Sequence, residues 1–208
     1  MMLDWPKLKR ELHDKEKDME EECNVGDLAS DERGTAARNT DGKPPAELLD
    51  LNEVACSMRA AYGDDRPEVG AMFNLGAAQK ASGSLRTTSV PVEDYVRAAI
   101  HCLTKHHPRR WWMKTAEVMG YGERKYARWN WAKGMPWSVV LGSAVRHLLE
   151  AAYGAVEFPL DPESRLPHRA HAICNLMFLA HYAAHYPEGN DLRMWPKPVD
   201  GKKESGDE

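Results

Sequence analysis

Apolar residues recur at close to helical spacing in several stretches of this chain, and nowhere do they alternate over a convincing strand length. Leu48, Leu49, Leu51, Val54, Ala55, Met58 and Tyr62 form the first such pattern, entered through the Pro44-Pro45 pair and closed by Gly63, whose missing Cβ suits a left-handed cap. Residues 64–67 read as a turn. A short helix over 69–81 is weakened by Gly70, Gly76 and Gly83, and residues 82–88 read as loop. Pro91 opens a helix running to His107, with Glu93 and Asp94 near its start and His101, His106 and His107 toward its end, where each charge complements the helix dipole. A helix over 109–119 is expected to stop at Gly120 and Gly122. Two stronger patterns follow: Val139 to Tyr153, closed by Gly154, and His168 to Tyr186, set between Pro167 and Pro187. The pattern predicts an all-α, compact helical domain of four to five helices within residues 44–195.

The ends differ in character. Residues 7–22 are dense in Lys and Glu, which predicts a charged, solvated helix. Residues 24–43, rich in Gly, Ser, Thr, Asp and Asn, read as a flexible linker, and residues 196–208 as a disordered tail with nothing to bury.

Bulk charge narrows the function classes. The 208 residues carry a formal charge of -4 with 29% charged residues, and a pI near 6.1. That balance provides no global pull toward nucleic acid or an anionic membrane, so neither is expected as a partner and any anion site is local. Cys23, Cys56, Cys102 and Cys174 are far apart, which predicts reduced thiols in place of a zinc knuckle. With neither an apolar signal-like run nor eighteen consecutive apolar residues, a cytoplasmic location is expected.

Candidate chemistry concentrates between Arg146 and Asn175. On a helix, His168, His171 and Asn175 share a face within about 60°. His147 and Glu150 stand one turn apart on the preceding helix, and Asp161 and Glu163 lie in the loop between. Imidazole with carboxylate suits a divalent ion such as Mn, Fe or Zn, whereas carboxylate-dominated sites suit Mg. Lys125, Lys133 and Arg146 are then placed to neutralise phosphate. The plainer account makes Asp161-Pro-Glu163-Ser a turn and helix entry, with carboxylates favoured near a helix N-terminus. Between Tyr121 and Trp137, aromatic residues interleave with Lys125, Arg128 and Lys133, as either a ligand-contacting loop or a set of aromatic plugs.

Several ordered motifs resemble a phage-rich family, the dATP/dGTP diphosphohydrolase N-terminal domain, sometimes related to MazG-like nucleotide pyrophosphohydrolases. They are Asp41-Gly-Lys-Pro-Pro-Ala-Glu-Leu-Leu-Asp, Tyr121-Gly-Glu-Arg-Lys-Tyr126, Asn130-Trp131-Ala-Lys133-Gly134, Arg146-His147-Leu-Leu, and Asp161-Pro-Glu-Ser-Arg-Leu-Pro-His168-Arg-Ala-His171-Ala-Ile-Cys-Asn175. The resemblance implies hydrolysis of a purine deoxynucleoside triphosphate to monophosphate and pyrophosphate with a divalent metal, Mg or Mn first and Zn or Fe as alternatives, in a homo-oligomer that adjusts the nucleotide pool during phage infection. By position it implies His147, Asp161 and Glu163 as catalytic residues, and His147, Asp161, Glu163, His168 and His171 as metal ligands. Lys125, Asn130, Trp131, Lys133, Arg146 and Asn175 are the implied substrate contacts. This chain departs from the family pattern at Arg165, where Gly is usual, and at Gly120, where an acidic residue is usual. Residues 63–110 read as an insertion between the first and second motifs, and the paired acidic helix motifs of MazG-like folds are not evident.

Two other function classes fit parts of the same sequence. The basic and aromatic runs Arg109-Arg-Trp-Trp and Arg124-Lys-Tyr-Ala-Arg-Trp suit a nucleic-acid-binding regulator. A non-catalytic nucleotide-binding protein acting against a host defence would need the pocket without turnover.

Overall fold

Among the described residues six α-helices carry the fold: α1 (Leu51–Tyr62), α2 (Pro67–Gly83), α3 (Val92–Thr104), α4 (Pro108–Tyr126), α5 (Trp137–Tyr153) and α6 (His168–His185). In this computed structural model the described residues are 26–38, 43, 46–83, 92–154 and 159–194. The expected charged helix over 7–22 and the tail over 196–208 lie outside them. The fold is all-α, as the periodicity predicts; an isolated antiparallel bridge joins Leu160 and Pro167. No helix among the described residues is long and apolar enough to cross a membrane.

Helix α6 is the centre. From Ala170 to Leu176 every residue is buried, and Phe178, Leu179, Ala180 and Tyr182 continue the burial. Burial on every side marks an interior helix, and here it encloses His171 and Asn175 with the apolar residues. Helices α3, α4 and α5 pack around it, while α1 and α2 extend the layer through α2–α3 and α2–α5 contacts. The shared core contains Leu51, Met58, Met72, Leu75, Leu103, Val140, Leu148, Ile173 and Leu176. Burying such side chains contributes about 1.5–3 kcal/mol each.

Local chemistry fixes the helix ends. Asp50 accepts from the backbone N–H groups of Asn52 (3.0 Å) and Glu53 (3.3 Å), so α1 begins at Leu51 and the Ala46–Leu48 turn ahead of it is a 3-10 helix. The helix expected to reach His107 ends at Thr104. Proline disfavours the α conformation in the residue before it, and His107, preceding Pro108, adopts φ 60° and ψ 55°. The start of α5 is capped from a distance: Asp191 accepts from the Ser138 N–H (2.9 Å) and hydroxyl (2.5 Å).

Glycine misled the reading twice, for different reasons. Residues Gly70 and Gly76 lie inside a long α2, where close approach favours them: a Cβ on Gly76 would meet the Asn52 side chain at 2.7 Å, and one on Gly70 the Cys102 sulfur at 3.1 Å. Gly120 and Gly122 do not stop α4, which continues to Tyr126. Each helical glycine costs roughly 0.5–1 kcal/mol. The extra turn offsets this by anchoring Tyr121 and Lys125, four residues apart on one face, to Glu163.

Residues 26–38, read as flexible linker, are packed against the turn after α4. Gly34 N–H donates to the Lys133 carbonyl (2.6 Å), Ala36 N–H donates to that of Gly134 (3.0 Å), and Ala36 and Ala37 are buried. The small side chains allow this close contact amid otherwise loop-like composition.

Candidate active site

Facing positions on α5 and α6 bring three imidazoles together. His147 stands on α5 opposite His168 and His171, which share one face of α6 one turn apart. The Nδ1 atoms of His147 and His168 are 2.9 Å apart, and the His147 ring stacks on His171 with centroids at 4.6 Å and planes 18° apart. Two ring nitrogens at that distance share a proton or a cation.

The loop before α6 supplies the carboxylate. Asp161 accepts through Oδ1 from the Ser164 N–H (2.8 Å), its own N–H donates to Leu166 (2.9 Å), and Arg165 N–H donates back to the Asp161 carbonyl (2.8 Å). This closed turn needs a left-handed residue, and Arg165 fills it at φ 61°. A glycine at this position would adopt that conformation without steric cost. Ser164 Oγ lies 2.7 Å from His171 Nε2, tying the turn to the helix.

Ligand atoms of His147, Asp161 and His168 all lie within 4.8 Å of one another. Two nitrogens and a carboxylate oxygen form a donor set suited to a borderline divalent ion. The protonation states agree. Burial drives His147 well below its ordinary pKa, reinforced by His171 and His168; burial also lowers His168 and takes His171 to about 4, against the opposing pull of Asp161. All three rings are therefore neutral near pH 7, the form that binds metals. Burial raises the Asp161 pKa, but hydrogen bonds from Ser164 and the histidine neighbours outweigh it, so the carboxyl titrates below its usual value.

These groups line a cleft of about 1070 Å³ between α4, α5, α6 and the N-terminal segment, large enough for a nucleotide. Lys125, Asn130, Trp131, Arg146, His147, Asp161, Glu163, His168, His171 and Asn175 all line it; Lys133 does not. Lys133 donates instead to the carbonyls of Leu28 (3.3 Å) and Ser30 (2.5 Å), holding the N-terminal segment.

Three of these cleft-lining positions also make defined contacts within the protein. Asn130 is buried and bonded to the Ala37 backbone. Asn175 accepts from Arg38 (2.8 Å) and donates to the His171 carbonyl (2.7 Å). Glu163 lies outside the His147–Asp161–His168 cluster, accepting from Tyr121 and Lys125, both at 2.5 Å. Burial raises its pKa, yet the Lys125 and Tyr121 hydrogen bonds prevail and lower it overall.

On the aromatic side Trp131 stacks on Phe178, with centroids 4.8 Å apart and planes 6° apart. Sequence reasoning missed Arg38, Lys43, Tyr121 and Ser143 in the cleft lining. Of these, Lys43 and Tyr121 stand inside quoted motifs, whereas the only local sign of Arg38's burial was the Ala36-Ala37 pair before it.

With this geometry established, the relatives can be placed. The family described as dATP/dGTP diphosphohydrolase, N-terminal, matches residues 77–192, which contain every member of the histidine–carboxylate cluster. A protein of Salmonella phage PMBT28 named dATP/dGTP diphosphohydrolase is 35% identical over 91 residues, covering 44% of this chain and 30% of the relative. The match thus spans less than a third of that relative's length. No solved structure matches the chain. The chain belongs to the dATP/dGTP diphosphohydrolase, N-terminal, family.

Proposed function

We propose that this protein hydrolyses purine deoxynucleoside triphosphates, dATP and dGTP, to the monophosphate and pyrophosphate with a divalent cation held by His147, Asp161 and His168. The observation that carries the proposal is the neutral His147–His168 pair beside Asp161, in a cleft also lined by Lys125 and Arg146. When bound, such an ion polarises phosphate oxygens and lowers the pKa of water. The activity for which the phage relative is named supports the substrate class.

The chain's own groups divide the remaining work. Lys125 and Arg146 face the phosphates, with Glu163 and Tyr121 fixing where the Lys125 ammonium sits. Ser164 holds both Asp161 and His171 in place. The three imidazoles are neutral, so a ring nitrogen of this cluster that the cation does not occupy can accept a proton from the attacking water. The Trp131–Phe178 stack provides a flat apolar wall against which a purine can rest. Catalysis of phosphoryl transfer rests mainly on such positioning and electrostatics.

Incubation with each of the four dNTPs and four NTPs, with Mg or Mn, tests the reading by chromatography of the products. dATP and dGTP should yield dAMP and dGMP with pyrophosphate, and the other nucleotides much less. Absence of turnover on every nucleotide would overturn the proposal. In the cell the activity would adjust the deoxynucleotide pool during phage infection.

A further inference from the structure

Resting on that reading, we infer that Arg38, from a chain segment ahead of the family-matched region, is a binding residue for the substrate's polyphosphate. The matched region begins at residue 77, so nothing in it accounts for this side chain.

The argument starts from an uncompensated charge. The Arg38 guanidinium donates to Ser143 Oγ (2.6 Å) and Asn175 Oδ1 (2.8 Å), both neutral acceptors. Among the described residues no carboxylate forms an ion pair with it. A guanidinium carries five N–H donors in a planar fork, and a single nitrogen makes both bonds. Elsewhere in this molecule a buried arginine is neutralised in the usual way: Arg169 meets the fully buried Glu68 at 2.6 Å. Arg38 is half-buried, and even partial removal of a cation from water without a counter-ion is costly.

The surroundings identify the missing partner as an anion carrying several charges. Arg38 lines the same cleft as Lys43, Lys125 and Arg146. Burial lowers the Lys43 pKa first, and the nearby positive charges of Arg38, Lys125 and Arg146 lower it further, opposed by Glu163. Of these, Lys125 is already held by Glu163 (2.5 Å), whereas Arg38 meets only neutral acceptors, so an anion entering the cavity finds the Arg38 charge uncompensated. Guanidinium is suited to phosphate because its planar fork matches two phosphate oxygens. Asn175 couples this group to the histidine cluster, since the same amide that receives Arg38 donates to the His171 carbonyl.

Calorimetric binding of sodium tripolyphosphate, with no metal added, tests the assignment independently of turnover. Wild type, Arg38→Met and Arg38→Lys are compared, together with their ligand-free melting temperatures. The inference predicts at least tenfold weaker binding for Arg38→Met, an intermediate value for Arg38→Lys, and a ligand-free Arg38→Met protein that melts no lower than wild type because a half-buried charge without a counter-ion is gone. Equal tripolyphosphate affinity in wild type and Arg38→Met would overturn it, as would a clearly lower melting temperature or failure to fold in Arg38→Met, which would mark a structural role. Absence of tripolyphosphate binding by wild type would also overturn it. Wild-type binding without hydrolysis of any nucleotide would instead overturn the proposed function and leave the anion site standing.

Discussion

The side-chain amide of Asn130 pairs with the backbone of Ala37 in both directions, Oδ1 accepting from the Ala37 N–H and Nδ2 donating to its carbonyl, each at 3.0 Å. The turn after α4 thereby holds the segment that delivers the next residue, Arg38, into the cleft. Asn130→Ala strips two hydrogen bonds from a buried backbone position, which should cost about 2–3 kcal/mol. Urea denaturation checks the stability loss, and dNTP kinetics should show a raised KM with a smaller change in kcat. Wild-type stability in this variant would contradict the clamp.

The histidine cluster should make stability depend on pH in one direction. The folded pKa of His171 is about 4, below the unfolded value near 6.5. As pH falls, the unfolded chain takes up the proton first; stability is therefore full above about pH 6.5 and declines toward pH 4. For His171 alone the loss approaches roughly 3 kcal/mol at the acid end. Urea midpoints at pH 7.5, 5.5 and 4.5 should fall in that order, with a shallower trend in His171→Gln. An identical trend in that variant would remove His171 as a source.

Arg165 occupies a conformation that costs an L-residue about 1–2 kcal/mol, at φ 61° with its side chain exposed. Glycine removes this strain but adds about 0.5–1 kcal/mol of unfolded-state freedom. Arg165→Gly should thus raise Tm by about 2 °C, measured by calorimetry. A lower Tm would show that the arginine side chain makes a stabilising contribution that outweighs the strain.

Asp161 and Glu163 are two residues apart yet have different assignments. Glu163 is engaged with Lys125 and Tyr121, so Glu163→Gln should alter Mn affinity by no more than about fivefold, the scale of an exposed ion pair. Asp161→Asn should weaken it at least about 100-fold, as loss of a direct ligand costs no less than loss of its support. Mn titration followed by electron paramagnetic resonance distinguishes the two, and equal losses would place Glu163 among the ligands.

Much of this was legible from local pattern. Helical periodicity located the apolar cores of α5 and α6, and the spacing of His168, His171 and Asn175 placed them on one face before any tertiary contact was known. Less was legible where the decisive interaction is distant in sequence. Gly120 and Gly122 looked like helix stops because their cost is local, whereas the Glu163 anchor lies about 40 residues away in sequence. Lys133 looked like a phosphate ligand by charge, yet carbonyls of residues 28 and 30 receive it. Arg38 was hidden in loop-like composition because its burial depends on Asn130, Ser143 and Asn175, none of which is a sequence neighbour.

The most direct measurement is pyrophosphate released per dATP consumed, with Mn and with excess chelator, for wild type and His147→Ala. The metal-centre account predicts one pyrophosphate per dATP for wild type, none after chelation, and a fall of at least about 100-fold in His147→Ala. Chelator-resistant turnover, or an equal rate in His147→Ala, would contradict it.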